Sequence, residues 1–248
     1  MHSFEKVVSL EDNIRTMKIS WLGHSCFILQ SSAGIKVLTD PFDEEVGYPL
    51  PNVEADIVLV SHDHHDHNNA KIVKGHPLVI KRPGTHEAFG MNIKGVKTYH
   101  DENEGKLRGT NTIFCFSLDN VRVCHLGDLG HILGAAEIKA IGPVDLLLIP
   151  VGAIYTLDAI AAQEVVMQIR PHVAVPMHYY TTALRFKLDP VDKFLQGCSF
   201  DGPQDSLELK GEAPAETGTR IVLLSIISPD NLSQTSSSMN PDRDQANR

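Results

Sequence analysis

At 248 residues the chain has the length of one α/β domain or of two small ones, and its 42% apolar content suits a protein with a sizeable core. A net charge of −9 with histidine neutral argues against general nucleic-acid binding, which wants a basic face. No run approaches the ~18 consecutive apolar residues of a membrane span, and residues 1–15 carry early acids without a long apolar stretch, so they read as neither anchor nor signal peptide.

In chain order, Lys18–Leu22, Cys26–Leu29 and Ile35–Leu38 are short apolar runs separated by Gly23 and by Ser31-Ser32-Ala33-Gly34. That is the pattern of consecutive antiparallel strands joined by tight turns. Thr39-Asp40-Pro41-Phe42 ends the third, and a polar, proline-bearing loop runs to about Asn52. Asp56–Val60 is continuous in Val, Ile and Leu and reads as a strand buried on both faces. Asn68 or Asn69 is placed to cap a short helix through Lys74. Leu78–Lys81 and Val96–Tyr99 read as further strands, with a helical turn at Thr85–Phe89 between them and a polar, glycine-bearing loop over Asp101–Asn111 behind them. Thr112–Leu118 and Val121–His125 form a hairpin over Asp119-Asn120. Gly134–Ile141 is expected to be helix and Asp145–Val151 a strongly apolar strand. Asp158–Ile169 is expected to be a helix capped by Asp158, with Ile160, Ala161, Val165 and Ile169 as its apolar stripe. Val173–Met177 is a strand, Pro190–Gln196 a short helix, and Ser206–Leu209 and Ile221–Ile226 the last strands. From Pro229 the chain is polar and serine-rich, the composition of a disordered tail. The expected organisation is a lead-in over 1–17, one α/β domain over 18–228 and the tail over 229–248. Two packed sheets with helices on their outer faces would accommodate it.

The chemistry concentrates in Ser61-His62-Asp63-His64-His65-Asp66-His67, directly after Ile57-Val58-Leu59-Val60. Four imidazoles and two carboxylates in seven residues exceed any packing need and are ligands for zinc and its first-row neighbours. His62 and His64 can aim the same way, since alternate residues share a face, and Asp66 and His67 then reach a second position nearby. Other candidates also sit just past apolar strands: His100 after Val96–Tyr99, Asp128 after Val121–Cys124, His178 after Val173–Met177. Strand ends converging on one rim make a common pocket in α/β proteins. There, three nitrogens would hold one metal, Asp66, His67 and His178 the other, and Asp128 would bridge. Cys26, Cys115, Cys124 and Cys198 show no CxxC pairing, and the first three lie in strand-like contexts. They read as reduced cysteines of a cytoplasmic protein.

With His62, His64, Asp66 and His67 in the order HxHxDH, a later His100, the pair Gly127-Asp128 and Pro176-Met177-His178, the chain resembles the metallo-β-lactamase-fold hydrolases over about Lys18 to Ser225. Trp21-Leu22-Gly23-His24-Ser25, Thr39-Asp40-Pro41 and His125-Leu126-Gly127-Asp128-Leu129-Gly130-His131 look like the small cytoplasmic branch related to L-ascorbate-6-phosphate lactonase. More distantly they resemble N-acyl-phosphatidylethanolamine phospholipase D. The resemblance implies a four-layer αββα sandwich and two divalent ions, zinc foremost with manganese, nickel or iron open. It implies His62, His64 and His100 on one ion, Asp66, His67 and His178 on the other, and Asp128 between. His64 stands where the di-iron flavoprotein relatives carry Glu, which points to hydrolysis rather than redox chemistry.

A water bridging two such ions would give up a proton to become the nucleophile, with Asp66 ligating and orienting it. His24, Tyr179 and His131 are candidate proton donors to the leaving group. His131 and His125 are also read as structural, and Asp40 as fixing a turn or orienting a metal-bound imidazole. The expected reaction is hydrolysis of an ester, lactone or phosphoester of a small molecule, without nucleic-acid or membrane partners and with self-association open. The competing readings are a non-catalytic metal-binding or sensor protein and a nuclease-like phosphodiesterase.

Overall fold

The computed structural model describes residues 15–211 and 218–232, so the lead-in up to residue 14 and the expected tail from residue 233 lie outside the described residues. In chain order the first elements are β1 (Thr16–Gly23), β2 (Cys26–Gln30), β3 (Lys36–Thr39), β4 (Ile57–Leu59), β5 (Leu78–Ile80), β6 (Gly84–Ala88), β7 (Met91–Tyr99), β8 (Thr110–Leu118) and β9 (Val121–His125). They are followed by α1 (Ala135–Ile141), β10 (Leu146–Pro150), α2 (Ala159–Ile169), β11 (Val173–Met177), α3 (Asp192–Leu195), β12 (Phe200–Gln204), β13 (Leu207–Lys210), β14 (Arg220–Leu224) and α4 (Pro229–Leu232).

The strands form a six-stranded sheet in the order β13-β1-β2-β3-β4-β5 and an eight-stranded sheet in the order β12-β14-β11-β10-β9-β8-β7-β6. Period-2 alternation decides what each face of the first sheet meets. Met17, Ile19, Trp21, Phe27, Leu29, Val37, Ile57 and Leu59 join the main core with the second sheet's side chains, Phe114, Val123, Leu146 and Val175 among them. The alternate residues Leu22, Cys26, Ile28, Leu38, Val58 and Val60 face the other way, into a smaller cluster. Loop residues close that cluster, namely Phe42, Val46, Tyr48, Val53, Leu184 and Leu188. Among the described residues Ala70 of a short 3₁₀ turn and Leu232 also pack against this outer face of the six-stranded sheet.

Strand direction places the site. β9, β10 and β11 are mutually parallel, and β7 shares their direction because both β7 and β9 are antiparallel to β8. In the other sheet β3, β4 and β5 are parallel, and β1 runs with them through two antiparallel steps. The C-terminal ends of β7, β9 and β11 thus open on one edge of their sheet, and those of β1, β3 and β4 on one edge of theirs. The bond from Thr112 N to Ser61 O, 2.9 Å, ties the two edges together.

Several local expectations are corrected. Thr85–Phe89 is the edge strand β6 rather than a helical turn; Phe89 and Gly90, both at positive φ, turn it into β7 as a two-residue hairpin. The helix after the histidine cluster is a single 3₁₀ turn, Ala70–Ile72, and Asn69 spends its side chain on Phe42 O instead of capping it. Asp158 does cap α2, accepting from Ala161 N at 2.8 Å. Its buried face, however, is Ala162, Val165 and Val166, while Ile160 is 77% exposed. β12 was not foreseen, and α4 runs four residues into the segment read as a tail.

Candidate metal centre

The expected ligands meet. Oδ2 of Asp128 lies 3.1 Å from His100 Nε2, 3.2 Å from His67 Nε2, 3.2 Å from His178 Nε2 and 3.9 Å from His62 Nε2. Donor atoms fall into two adjoining groups, one of His62, His64 and His100 and one of Asp66, His67, His178 and His24, with Asp128 beside His62 and His67. His62 Nε2 and His64 Nδ1 are 3.0 Å apart, as the alternation of the motif predicts. The seven side chains meet because His100, Asp128 and His178 sit within three residues beyond β7, β9 and β11 and the loop after β4 brings His62, His64, Asp66 and His67 to the same edge.

Close backbone packing makes this convergence tight. A Cβ on Gly152 would overlap the carbonyl of His178, and one on Gly130 would overlap the backbone of His100, so at both places only a residue without a side chain fits. His24 and His178 are held at φ of 51° and 52°, a region rare for residues other than glycine, and the amide of His178 donates to the carbonyl of His24 at 3.2 Å. Trp21 Nε1 donates to that same carbonyl at 2.9 Å.

Asp40 buttresses the centre from behind. It accepts from Ser61 N and Ser61 Oγ, both at 2.7 Å, and from His67 Nδ1 at 3.0 Å. Ser61 Oγ in turn lies 2.9 Å from His62 Nδ1. The network places a proton on Nδ1 of both rings and turns Nε2 of His62 and His67 toward the cleft.

The donor set suits divalent cations. Nε2 of His67 and Oδ1 of Asp128 are buried without a hydrogen-bond partner, a costly arrangement unless something positive completes it. Burial alone would push the Asp128 carboxyl up, but His178, His67 and His100 outweigh it and hold the group well below the usual carboxylate range. Asp66 is held down likewise, against burial, by His67 and His24. Burial would lower His67, yet Asp128 and Asp66 hold it well above its ordinary value. Burial brings His62 down to about 3, with His67 adding to the effect. Asp128 and Asp66 demand positive charge at this point: they hold His67 up, Asp128 holds His100 up against burial, and burial keeps His62 and His24 down.

Of the expected proton donors, His24 is at the centre: it is fully buried, its Nε2 is 3.1 Å from Asp66 Oδ2, and its ring packs 4.1 Å from that of His178. Burial, then the neighbouring His178, bring it down to about 4. Tyr179 is elsewhere: it is buried in the core with its ring 5.1 Å from Trp21, and it does not line the cleft. The chain alternation that points His178 into the cleft turns Tyr179 away. His131 is also remote, bonding Tyr99 N and Ile132 O. His125 bridges the sheets, contacting Ser25 O at 3.0 Å and accepting from Gly127 N at 3.1 Å. Sequence reasoning passed over Ser61, although it opens the motif, and over Arg108, which sat unnoticed in a polar loop.

The centre forms the floor of a cleft of about 480 Å³, lined by His64, His65, Asp66, His100, Asp128 and His178 below and by Leu107, Arg108, Tyr155 and Phe186 at its mouth.

Comparison with known proteins agrees with this layout. The family model of the β-lactamase superfamily domain matches residues 18–178. A UPF0173 metal-dependent hydrolase of Archaeoglobus fulgidus is 35% identical over 208 residues, covering 71% of this chain and 88% of its own. A crystal structure from Thermotoga maritima, described as a Zn-dependent hydrolase of the metallo-β-lactamase superfamily, superposes with a TM-score of 0.70 at 42% identity. It covers 84% of this chain and 100% of its own. An isothiocyanate hydrolase from Delia radicum gut bacteria has a TM-score of 0.57 at 15% identity over 77% of this chain and 98% of its own, a likeness of fold alone. Two facing sheets with a histidine- and aspartate-lined cleft at their common edge define the class, a metallo-β-lactamase-fold α/β sandwich. Within it the chain belongs to the metal-dependent hydrolase family of the β-lactamase superfamily.

Proposed function

We propose that the chain is a binuclear metal-dependent hydrolase that cleaves an ester, lactone or phosphoester of a small molecule. The observation that carries this reading is the position of Asp128 Oδ2 among imidazoles from three separate segments, with 3.1–3.2 Å to those of His67, His100 and His178. His62, His64 and His100 would hold one ion and Asp66, His67 and His178 the other, with Asp128 within reach of both groups. Two divalent ions bound there would supply Lewis acidity and acidify water toward a pKa of ~7.

The chain's own groups do the rest. Asp66 carries one free carboxylate edge toward the cleft, and His24 donates Nε2–H to its Oδ2, holding it ionised and aimed. His24 thereby positions Asp66, the nearest carboxylate able to take a proton from water and pass it to the leaving group. Burial of His24, His67, Asp128 and His178 strengthens these contacts. The ligand chemistry alone does not discriminate zinc from manganese, nickel or iron. Four unpaired cysteines suit a reducing compartment, and we place the protein in the cytoplasm on that ground.

The test is reconstitution of the metal-free chain with each metal, followed by assay on esters, lactones and phosphodiesters. The reading expects two ions per chain, turnover that depends on them, and loss of both in Asp66→Ala. Turnover by metal-free protein, or silence of fully loaded protein across the three substrate classes, would overturn it.

A further inference from the structure

The proposed ligands account for the floor of the cleft and leave its mouth unexplained. Two segments build that mouth. The first, residues 101–109, leaves β7 directly after His100 and returns to it, with Gly109 O accepting from His100 N at 3.1 Å. The carboxylate of Asp101 gathers this loop. It accepts from the amides of Asn103 (2.8 Å), Gly105 (3.1 Å), Leu107 (3.0 Å) and Arg108 (2.7 Å). Four bonds to one side chain fix Leu107 and Arg108 relative to the neighbouring His100.

The second segment follows β10. Ala153 and Ile154 both sit in the left-handed region, at φ of 52° and 51°. For a β-branched residue this is a true outlier, and such strain gathers where geometry is imposed for function. The kink turns the carbonyl of Ile154 onto Arg108 Nη2 at 3.1 Å and sets the Tyr155 ring 5.7 Å from the guanidinium. Arg108 is thus pinned from both segments, with one of its five N–H donors spent on Ile154. It is the only Lys or Arg among the described residues lining the cleft. Around it Leu107 is 69% and Tyr155 41% exposed, and Phe186 stands on the same wall. Large apolar side chains left uncovered around one pinned cation form an amphipathic seat.

We propose that Arg108 selects the ligand of this cleft: an anionic oxygen group, carboxylate or phosphate, carried on an apolar body that lies against Leu107, Tyr155 and Phe186. The fork of a guanidinium fits either anion through paired N–H donors. Calling that ligand the substrate rests on the hydrolase reading above; the recognition itself does not.

The experiment is calorimetric titration of metal-loaded full-length chain with octanoate, octyl phosphate and the neutral octanamide, repeated on Arg108→Met, Arg108→Lys and metal-free protein. The two anions separate carboxylate from phosphate recognition, and circular dichroism checks that each variant is folded. At least one anion is expected to bind about tenfold or more tighter than octanamide. Arg108→Met should remove that advantage and Arg108→Lys, which keeps the charge but loses the fork, should retain part of it. Equal binding of anion and amide by the unaltered chain would overturn the proposal. So would anion binding unchanged in Arg108→Met, including the case where only metal removal abolishes it, because the ions would then be the anion's partner. In parallel, the ratio of kcat/KM for mono-p-nitrophenyl glutarate to that for p-nitrophenyl butyrate should fall in Arg108→Met. Arg108-dependent anion binding without turnover of either ester leaves this inference standing and counts against the hydrolase reading alone.

Discussion

Asp40→Asn removes one charge and no volume, and its effect can be worked out atom by atom. Asp40 accepts three hydrogen bonds, from Ser61 N, Ser61 Oγ and His67 Nδ1. An amide has only one oxygen. If that oxygen stays on Ser61 N, the new NH₂ faces Ser61 Oγ and His67 Nδ1. It then becomes a donor to His67, so the ring must move its proton to Nε2, the atom turned toward the cleft. Ser61, receiving a bond instead of donating one, is free to donate to His62 Nδ1, and the same inversion reaches His62. If the amide flips, two N–H groups oppose each other at Ser61, leaving a buried donor unsatisfied at about 1–3 kcal/mol. Either way a metal must compete with a proton or with a strained network. Partners behind metal-bound imidazoles are commonly worth about 10- to 100-fold in affinity, and that is the loss expected here. Competition with a chromophoric chelator measures it, and the loss should be larger at the ion that engages His67 than at the one that engages His64 and His100. Wild-type affinity at both positions would refute the argument that Asp40 sets the tautomers.

Further outcomes follow from the same contacts. Tyr179→Phe should leave turnover within about twofold, whereas His24→Gln should lower kcat and weaken binding of one ion, because only His24 touches Asp66; equal effects would show that the core placement of Tyr179 is misleading. Gly152→Ala should lower both metal content and stability, since the added methyl would overlap the His178 carbonyl and crowd Tyr179; normal metal content by elemental analysis would contradict this. Removing metal should lower Tm by several degrees: an ion present at a hundred times its Kd adds about 2.7 kcal/mol, and a chain of this size shifts roughly 2–4 °C per kcal/mol. Away from the site, the Asp145 carboxyl, raised by burial but more strongly lowered by Arg122, sits below its ordinary value. Its folded value being the lower one, the stabilisation is complete above the unfolded pKa of about 3.9 and fades as pH falls through the folded value. The Tm gap between metal-free wild type and Asp145→Asn should therefore narrow in acid, and a gap that is constant down to pH 2 would exclude the charge as its source.

The division between what the sequence announces and what only the fold reveals has a physical basis. Candidate metal ligands are legible because chemistry restricts them to a few residue types and strand geometry restricts them to the ends of apolar runs; His62 to His67, His100, Asp128 and His178 satisfy both conditions. Buried strands such as β4 and β10 are legible for the same reason, being apolar throughout. β6 is not, because an edge strand needs no apolar face and Thr85, His86 and Glu87 give none. β12 hides behind Asp201-Gly202-Pro203, which has the composition of a turn. The stripe of α2 fails because Ile160 faces solvent, and Ala162, Val165 and Val166 make the buried face instead.

His24 and Tyr179 show the remaining limit. Each lies beside a motif, and nothing local distinguishes them. Direction decides: β1 ends in Gly23, whose positive φ turns the next residue inward, while Tyr179 lies one residue beyond an inward-facing ligand. The mouth of the cleft is less legible still. Asp101, Arg108 and Ile154 carry no pattern in the sequence, since a loop gathered on one carboxylate and a carbonyl turned toward an arginine are made by backbone amides and dihedrals. The floor of the site is written in residue types and its entrance in backbone geometry. Relatives that share the ligand set can therefore be expected to differ in substrate through the 101–109 and 153–157 segments, and exchanging those two segments between family members should move specificity without moving metal content.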